Sequence, residues 1–114
     1  MGLVIEQAAF LLDACKLIEF ANAKGFVVTG GELWRTPEQQ EIYFKTGKSK
    51  TMNSNHLKRL AIDLFFFDDK GGGPIYDIET LRPIGEFWQS LNPKNSWGGF
   101  WQSFKDAPHF ERRV

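Results

Sequence analysis

The segment from Leu60 to Phe67, with the sequence Leu-Ala-Ile-Asp-Leu-Phe-Phe-Phe, has the strongest β-strand pattern in the chain. Alternation along a strand places Asp63 on one face with Ala61 and Phe65, and the larger aliphatic side chains on the other. A carboxylate on an otherwise apolar central strand is costly unless it is paired or bound to a metal. The sequence therefore predicts a sheet with a polar or metal-binding site at Asp63.

The sequence contains only two histidines, and both lie where they can join Asp63. His56 precedes Asp63 by seven residues, and His109 lies near the C-terminus. Pro108 keeps Ala107 out of the helical region, so His109 is predicted on extended backbone, where it can meet Asp63 across the sheet. Catalytic zinc usually takes three protein ligands and keeps a fourth position for water. His56, Asp63 and His109 are therefore candidate ligands of one zinc ion.

Residues 3–24 have the periodicity of an amphipathic helix that packs on a sheet. Its predicted apolar stripe is formed by Ile5, Ala8, Ala9, Leu12, Cys15, Leu17, Ile18 and Ala21, and it is widened by Phe10, Leu11 and Phe20. Asp13 lies largely off this stripe. Cys15 is the only cysteine, so an internal disulfide is impossible, and we expect a buried, unreactive thiol there.

The remaining elements complete an α+β prediction, in which helices pack on a small, mainly antiparallel sheet. Thr36 and Pro37 have the residue types of a helix start, and that helix is predicted to end near Lys45 or Thr46. A helix is predicted over residues 79–91, with Asp77 as a candidate cap, although Pro83 also allows a later start near Arg82. Short strands are predicted at 26–29 and 75–78, a possible continuation of the first at 32–35, and a turn at 68–74.

Composition narrows the function classes. The formal net charge is zero, whereas nucleic-acid-binding domains usually carry a basic excess, so no nucleic-acid partner is expected. No stretch of about 18 apolar residues exists that could span a membrane. The N-terminus lacks the basic region and apolar run of a signal peptide. We expect residues 1–114 to form one domain, and that domain to be monomeric.

Several short motifs occur in an order that resembles one peptidase family. Ser-x-His is followed by Ala-x-Asp, then by Trp-Gly-Gly-x-Trp and by Asp-x-Pro-His-Phe-Glu. This order resembles the M15 family of zinc D-Ala-D-Ala carboxypeptidases and L-Ala-D-Glu endopeptidases, whose fold is also used by Hedgehog-type domains. The resemblance implies a zinc peptidase domain acting on bacterial peptidoglycan. The family commonly has glycine three residues after the first histidine, where this chain has Arg59.

The segment Arg-Thr-Pro-Glu-Gln-Gln is similar to a further motif of that family. The resemblance implies that Arg35 binds or steers a substrate carboxylate and that Gln40 supports the site. A guanidinium suits this role because its planar fork pairs with a carboxylate in two places. The alternative is a surface arginine paired with Glu32 or Glu38.

The resemblance also implies a catalytic carboxylate and a supporting serine. Asp106 matches the position of the family's catalytic Glu or Asp, and Glu111 is a competitor for the role of general base. On an extended strand Glu111 shares a face with His109, so it can also hydrogen-bond the ring of that ligand. Ser54 is expected to hydrogen-bond substrate or the loop, since no separate histidine remains to activate it as a nucleophile.

Two glycines between aromatic residues suit a turn that places Trp97 and Trp101 around a cleft. One hypothesis makes Trp97 a wall of the substrate groove, and the alternative is core packing.

Asp106 and the Trp-Gly-Gly-x-Trp segment resemble the endolysin-type branch of the family, so the predicted activity is that of an L-Ala-D-Glu endopeptidase. D-Ala-D-Ala carboxypeptidase activity and a non-catalytic zinc-containing binding domain are the alternatives. The resemblance further implies a protein that stays in the cytoplasm of the producing cell and reaches the cell wall after release, as in phage lysis.

Overall fold

A computed structural model describes residues 2–70 and 72–114, which form three helices and one four-stranded sheet. The helices are α1 (Gly2–Ala23), α2 (Pro37–Lys45) and α3 (Ile78–Leu91). The strands are β1 (Val27–Gly30), β2 (Ala61–Phe67), β3 (Asn95–Trp97) and β4 (His109–Arg112). The strand order is β1-β2-β4-β3, and every neighbouring pair is antiparallel. The predicted α+β class is therefore confirmed.

The central strands β2 and β4 divide the molecule into a core face and a site face. Leu64, Phe66 and Phe110 are almost fully buried against side chains of α1 and α3. Asp63 points to the other face, and the register places it directly opposite His109. The predicted alternation along β2 and the meeting of these two residues are both confirmed.

Helix α1 buries part of the predicted stripe and leaves the rest exposed. Phe10, Leu17 and Ala21 reach the core, while Ile5 and Leu12 are 60% and 65% exposed. Many apolar residues surround this helix, so its periodicity alone does not select the buried face. Cys15 lies on the exposed side, and the prediction of a buried thiol is wrong.

Asp13, predicted to lie off the stripe, is buried because it has a partner on β4. Its carboxylate pairs with the guanidinium of Arg112, which is 1% exposed. Asn95 on β3 donates to the same carboxylate oxygen at 3.3 Å and accepts from Nε of Arg112 at 3.0 Å. This polar cluster ties α1 to the sheet inside an otherwise apolar core.

The ends of the other helices follow from capping. Thr36 accepts a hydrogen bond from the backbone N–H of Gln39 at 3.0 Å, and α2 begins at Pro37 as predicted. Asp77 caps α3 in the same way, so this helix begins at Ile78 and includes Pro83. The predicted cap at Asp77 is confirmed and the alternative start near Arg82 is wrong, because the cap and the burial of Leu81 favour the longer helix despite Pro83.

The remaining loop predictions are only partly confirmed. Residues 32–35 do not continue β1, and the predicted strand at 75–78 is reduced to one bridge between Ile75 and Phe66. In the predicted turn at 68–74 the side chain of Asp68 accepts from the N–H of Lys70 at 2.9 Å. Gly71 of that turn lies outside the described residues.

None of the helices in the described chain combines the length and hydrophobicity needed to cross a membrane.

Candidate metal centre

His56, Asp63 and His109 converge on the site face of the sheet, although they come from three different elements. Asp63 and His109 are cross-strand partners in β2 and β4. His56 lies in a 3-10 helix, Asn55–Lys58, that leads into β2. Ser54 caps this short helix, because its Oγ accepts a hydrogen bond from the backbone N–H of His56 at 3.2 Å. The sequence thus places one histidine on a capped turn and the other at the start of a strand.

The ring of His56 is oriented by a backbone carbonyl. Its Nδ1 lies 3.3 Å from the oxygen of Leu33, and because a carbonyl only accepts, Nδ1 carries the proton. Nε2 then has a free lone pair. This atom is buried, has no hydrogen-bond partner among the described residues and lies 3.4 Å from Oδ1 of Asp63. A buried and unpartnered acceptor is unusual in a protein and indicates a ligand position.

The ring of His109 is oriented by a carboxylate. Its Nε2 lies 2.7 Å from Oε1 of Glu111, so Nε2 donates and Nδ1 faces Asp63, at 3.6 Å from Oδ1. This is the arrangement expected when a carboxylate fixes the tautomer of a metal-binding histidine. The hydrogen bond predicted between Glu111 and His109 is present.

The three donor atoms fit a tetrahedral metal. They all lie within 4.8 Å of one another, and neighbouring ligand atoms of a zinc with bonds of about 2.1 Å are about 3.4 Å apart. The 3.4 Å and 3.6 Å separations from Asp63 Oδ1 match this spacing. Two imidazole nitrogens and one carboxylate oxygen are also the donor types that zinc accepts.

The titratable groups of the cluster have perturbed pKa values. Burial alone would raise the pKa of Asp63, but the nearby rings of His109 and His56 hold it well below its usual range. Burial alone would lower the pKa of His109, but Asp63 and Glu111 raise it to about 9. The pKa of Glu111 falls to about 2, because His109 and Arg113 outweigh its burial. A cation is therefore strongly favoured between these carboxylates.

Asp106 lies beside the cluster, on the segment that leads into β4. Its backbone N–H donates to the carbonyl of Gly98 at 3.1 Å, and its carbonyl accepts from the N–H of His109 at 3.0 Å. A Cβ on Gly98 would lie 2.3 Å from the Asp106 carbonyl oxygen, so this approach requires glycine. Burial raises the pKa of the Asp106 carboxyl, although attraction to His109 opposes the shift. An acid with a raised pKa is suited to exchanging protons.

An open cavity of about 640 Å³ surrounds the cluster. Its lining includes Asp106, Arg35, Ser54 and Trp101. Arg35 donates from Nε and Nη2 to Oε1 of Glu32, at 3.0 and 2.7 Å, and from Nη1 to the amide oxygen of Gln40 at 2.8 Å. Gln40, which was expected to support the site, contacts Arg35, and the alternative pairing of Arg35 with Glu32 is also present.

The match to a known family coincides with this site. A peptidase M15 family model, described as D-alanyl-D-alanine carboxypeptidase, matches residues 47–112, which include all three candidate ligands and Asp106. The chain belongs to the M15 peptidase family.

Individual M15 relatives and one solved structure agree with this assignment. An L-alanyl-D-glutamate peptidase of Listeria phage A118 is 32% identical over 99 residues, 86% of this chain and 34% of the phage protein. The peptidoglycan L-alanyl-D-glutamate endopeptidase CwlK of Bacillus subtilis (strain 168) is 31% identical over 126 aligned positions, covering 95% of this chain and 71% of CwlK. The chain therefore spans about a third of the first relative's length.

The crystal structure of the Serratia marcescens L-Ala D-Glu endopeptidase ChiX has the same fold. It superposes on this M15 peptidase with a TM-score of 0.68 at 24% identity, covering 89% of this chain and 78% of ChiX.

Trp97 does not line the cavity of this M15 peptidase, and the prediction that it walls the groove is wrong. Its side chain is fully buried, and its Nε1 donates to the carbonyl of Ala107 at 2.7 Å. A Cβ on Gly85 or on Gly99 would lie 2.0 or 2.3 Å from its ring, so the two glycines make room for this core side chain. Trp101 lines the cavity instead, with its ring centroid 5.1 Å from that of His109.

Arg59 occupies the position where the family commonly has glycine, and it keeps a glycine-like backbone. Its φ and ψ are 56° and 36°, in the left-handed region, and it ends the 3-10 helix that carries His56. Its guanidinium lies 5.0 Å from the ring of Trp34, a cation–π contact. The local loop geometry is therefore retained at the expense of backbone strain.

Sequence reasoning missed two groups at the site. The Leu33 carbonyl, which orients His56, leaves no trace in the sequence because any residue supplies a carbonyl. Arg113, which lines the cavity and donates from Nε to Oε2 of Glu111 at 2.6 Å, does leave a signal. On extended backbone the side chains of His109, Glu111 and Arg113 alternate onto one face.

Proposed function

We propose that this M15 peptidase is a zinc enzyme that hydrolyses the L-Ala–D-Glu bond in the stem peptides of bacterial peptidoglycan. The observation that carries the proposal is the cluster of His56, Asp63 and His109, in which each histidine directs one ring nitrogen at the same carboxylate oxygen while its other ring nitrogen contacts a second oxygen. The cluster opens into a cavity that also contains Asp106.

Nε2 of His56, Oδ1 of Asp63 and Nδ1 of His109 would hold the zinc. When bound, zinc would lower the pKa of a water toward neutrality and polarise the scissile carbonyl. Glu111 would support this site from behind, because its hydrogen bond to Nε2 turns Nδ1 of His109 toward Asp63. Ser54 would act on the same site through the backbone of His56, whose 3-10 helix it caps.

Asp106 is the proposed general base. Its carboxylate would take a proton from the attacking water and deliver it to the leaving amine. Glu111 is less suited to this step, because His109 and Arg113 engage its two oxygens and lower its pKa to about 2. The pKa of Asp106 is raised, and no group among the described residues hydrogen-bonds its carboxylate.

The substrate assignment rests on the relatives, two of which are named for the L-alanyl-D-glutamate bond and one of them for peptidoglycan. Arg35 and Gln40 would help to position the peptide in the cavity. With a phage protein among the relatives, the proposed place of action is the cell wall after release from the producing cell. We propose that the enzyme acts there as a monomer.

A digest of purified peptidoglycan, read by mass spectrometry of the released fragments, tests the proposal. The zinc-loaded protein should create new amino termini on D-Glu, and a chelator or Asp106→Asn should abolish them. Asp106→Asn should still bind zinc, which separates loss of the base from loss of the metal. No new fragments from protein shown to contain zinc would refute the peptidase hypothesis and leave a non-catalytic binding domain.

The second candidate is D-Ala-D-Ala carboxypeptidase activity, which the description of the matching family model favours. The same digest distinguishes it, because a carboxypeptidase would release only terminal D-Ala and create no amino terminus on D-Glu.

A further inference from the structure

Arg113 is a cation at the cavity that the mechanism above does not use. It is two contacts from the candidate metal centre, since its Nε donates to Glu111 and Glu111 accepts from His109. Its guanidinium carbon also lies 5.7 Å from the ring centroid of Trp101, and its backbone N–H donates to the carbonyl of Lys94 at 2.8 Å. Three separate contacts therefore hold Arg113 in place while its side chain stays 60% exposed.

The free hydrogen-bonding capacity of Arg113 sets it apart from Arg35. Arg35 is only 10% exposed, and both its Nε and its Nη2 donate to Glu32. These two donors are therefore already used by a carboxylate of the protein itself. Arg113 uses only Nε in the described contacts, although a guanidinium has five N–H donors. Its two terminal nitrogens can therefore meet a carboxylate from outside in the paired geometry that arginine favours.

The proposed substrate supplies such a carboxylate. A glutamate residue inside a peptide has two carboxyl carbons, and only one of them is consumed by the bond to the next residue. The other stays ionised near the scissile bond, and it needs a cationic partner when it enters a cavity that also contains Asp106 and Glu111.

We propose that Arg113 is a specificity-determining residue, whose terminal nitrogens bind the free carboxylate of the glutamate residue in the substrate. This inference rests on the proposed function. Through Arg113, the enzyme would prefer stem peptides with a free carboxylate at this position over peptides in which the same carboxylate is amidated.

The test compares two synthetic peptides that contain an L-Ala–D-Glu bond and differ only in that carboxylate, which is free in one and amidated in the other. Zinc-loaded wild type should show a kcat/KM about tenfold higher for the acid, the scale of a partly exposed charged hydrogen bond. Arg113→Ala should lose this preference, so that the ratio of kcat/KM for the acid to that for the amide falls to about one. Arg82→Ala is the matched control, since Arg82 is an exposed arginine on α3 that pairs with Glu79.

A purely structural role, in which Arg113 only positions Glu111, predicts equal losses on both peptides and would overturn the inference. So would an acid preference that survives in Arg113→Ala, or its absence from the wild type. Calorimetric binding of both peptides to zinc-loaded Asp106→Asn, with and without Arg113→Ala, gives the same ratio without cleavage. Acid-selective binding that depends on Arg113 but leads to no cleavage in wild type would refute the proposed function alone.

Discussion

Replacing Asp13 by alanine should be among the most destabilising single substitutions in this chain, because it leaves the Arg112 guanidinium buried without its main counterion. Arg112 is 1% exposed and would retain Nε bonded to Asn95 at 3.0 Å and Nη1 at 4.0 Å from Glu6. Breaking one side of a buried ion pair usually costs about 3–5 kcal/mol. The remaining partners place the expected loss near the lower limit, at about 3 kcal/mol. Domains of this size have only about 5–15 kcal/mol of stability in total.

Urea denaturation followed by tryptophan fluorescence measures this loss, with the exposed pair of Glu79 and Arg82 on α3 as the control. Both side chains of that pair are well exposed, at 74% and 42%, so Glu79→Ala should leave the urea midpoint almost unchanged. The double variant Asp13→Leu with Arg112→Met should recover much of the loss, since apolar residues of similar volume often replace a buried pair. A loss below about 1 kcal/mol for Asp13→Ala, or a double variant as unstable as the sum of its parts, would refute the reasoning.

Four further predictions concern the site. Gly98→Ala should lower kcat by about tenfold or more at unchanged zinc content, because its Cβ would displace the backbone of Asp106, whereas Gly73→Ala, which meets no atom within 4 Å, should be silent in the same assay. Arg59→Gly should have a free energy of unfolding about 0.5–1 kcal/mol higher than that of Arg59→Ala in urea denaturation, because only glycine is unstrained at a φ of 56°. Equal stability of the two variants would contradict the strain. Zinc affinity measured by chelator competition should rise about tenfold per pH unit below about pH 9, because the metal displaces a proton from His109, whose pKa is raised to about 9. Without metal, the stability that His109 contributes should be complete below pH 6.5 and lost as the pH rises toward about 9, and a flat pH profile would contradict this.

The sheet at the centre of the site could be predicted from the sequence because two signals agree there. Alternation in β2 places Asp63 opposite to the face that carries Leu64 and Phe66, and Pro108 forces His109 onto extended backbone. Both signals are local, so neither depends on knowing the rest of the fold. The structure adds the register of the antiparallel pair β2–β4, which places Asp63 directly opposite His109.

The incorrect predictions concern residues whose environment is set by distant parts of the chain. Asp13 is buried only because Arg112, which is 99 positions away, supplies a counterion. Trp97 reaches the core only because Gly85, on α3, has no side chain in its path. Periodicity within one segment contains no information about such partners, which is why the predicted stripe of α1 also includes Ile5, Leu12 and Cys15, all of which are exposed.

The geometry of the metal centre depends on core packing that lies outside the cavity. The ring of Phe110 is fully buried on the opposite face of the sheet, next to His109 in sequence and paired with Ile62 in register. A slip of one residue between β2 and β4 would expose Phe110 and turn His109 away from Asp63 at the same time. The free energy of burying Phe110 thus opposes any displacement of the ligands. Since a metal that binds only the folded state adds its binding free energy to folding, zinc in turn should stabilise the same register.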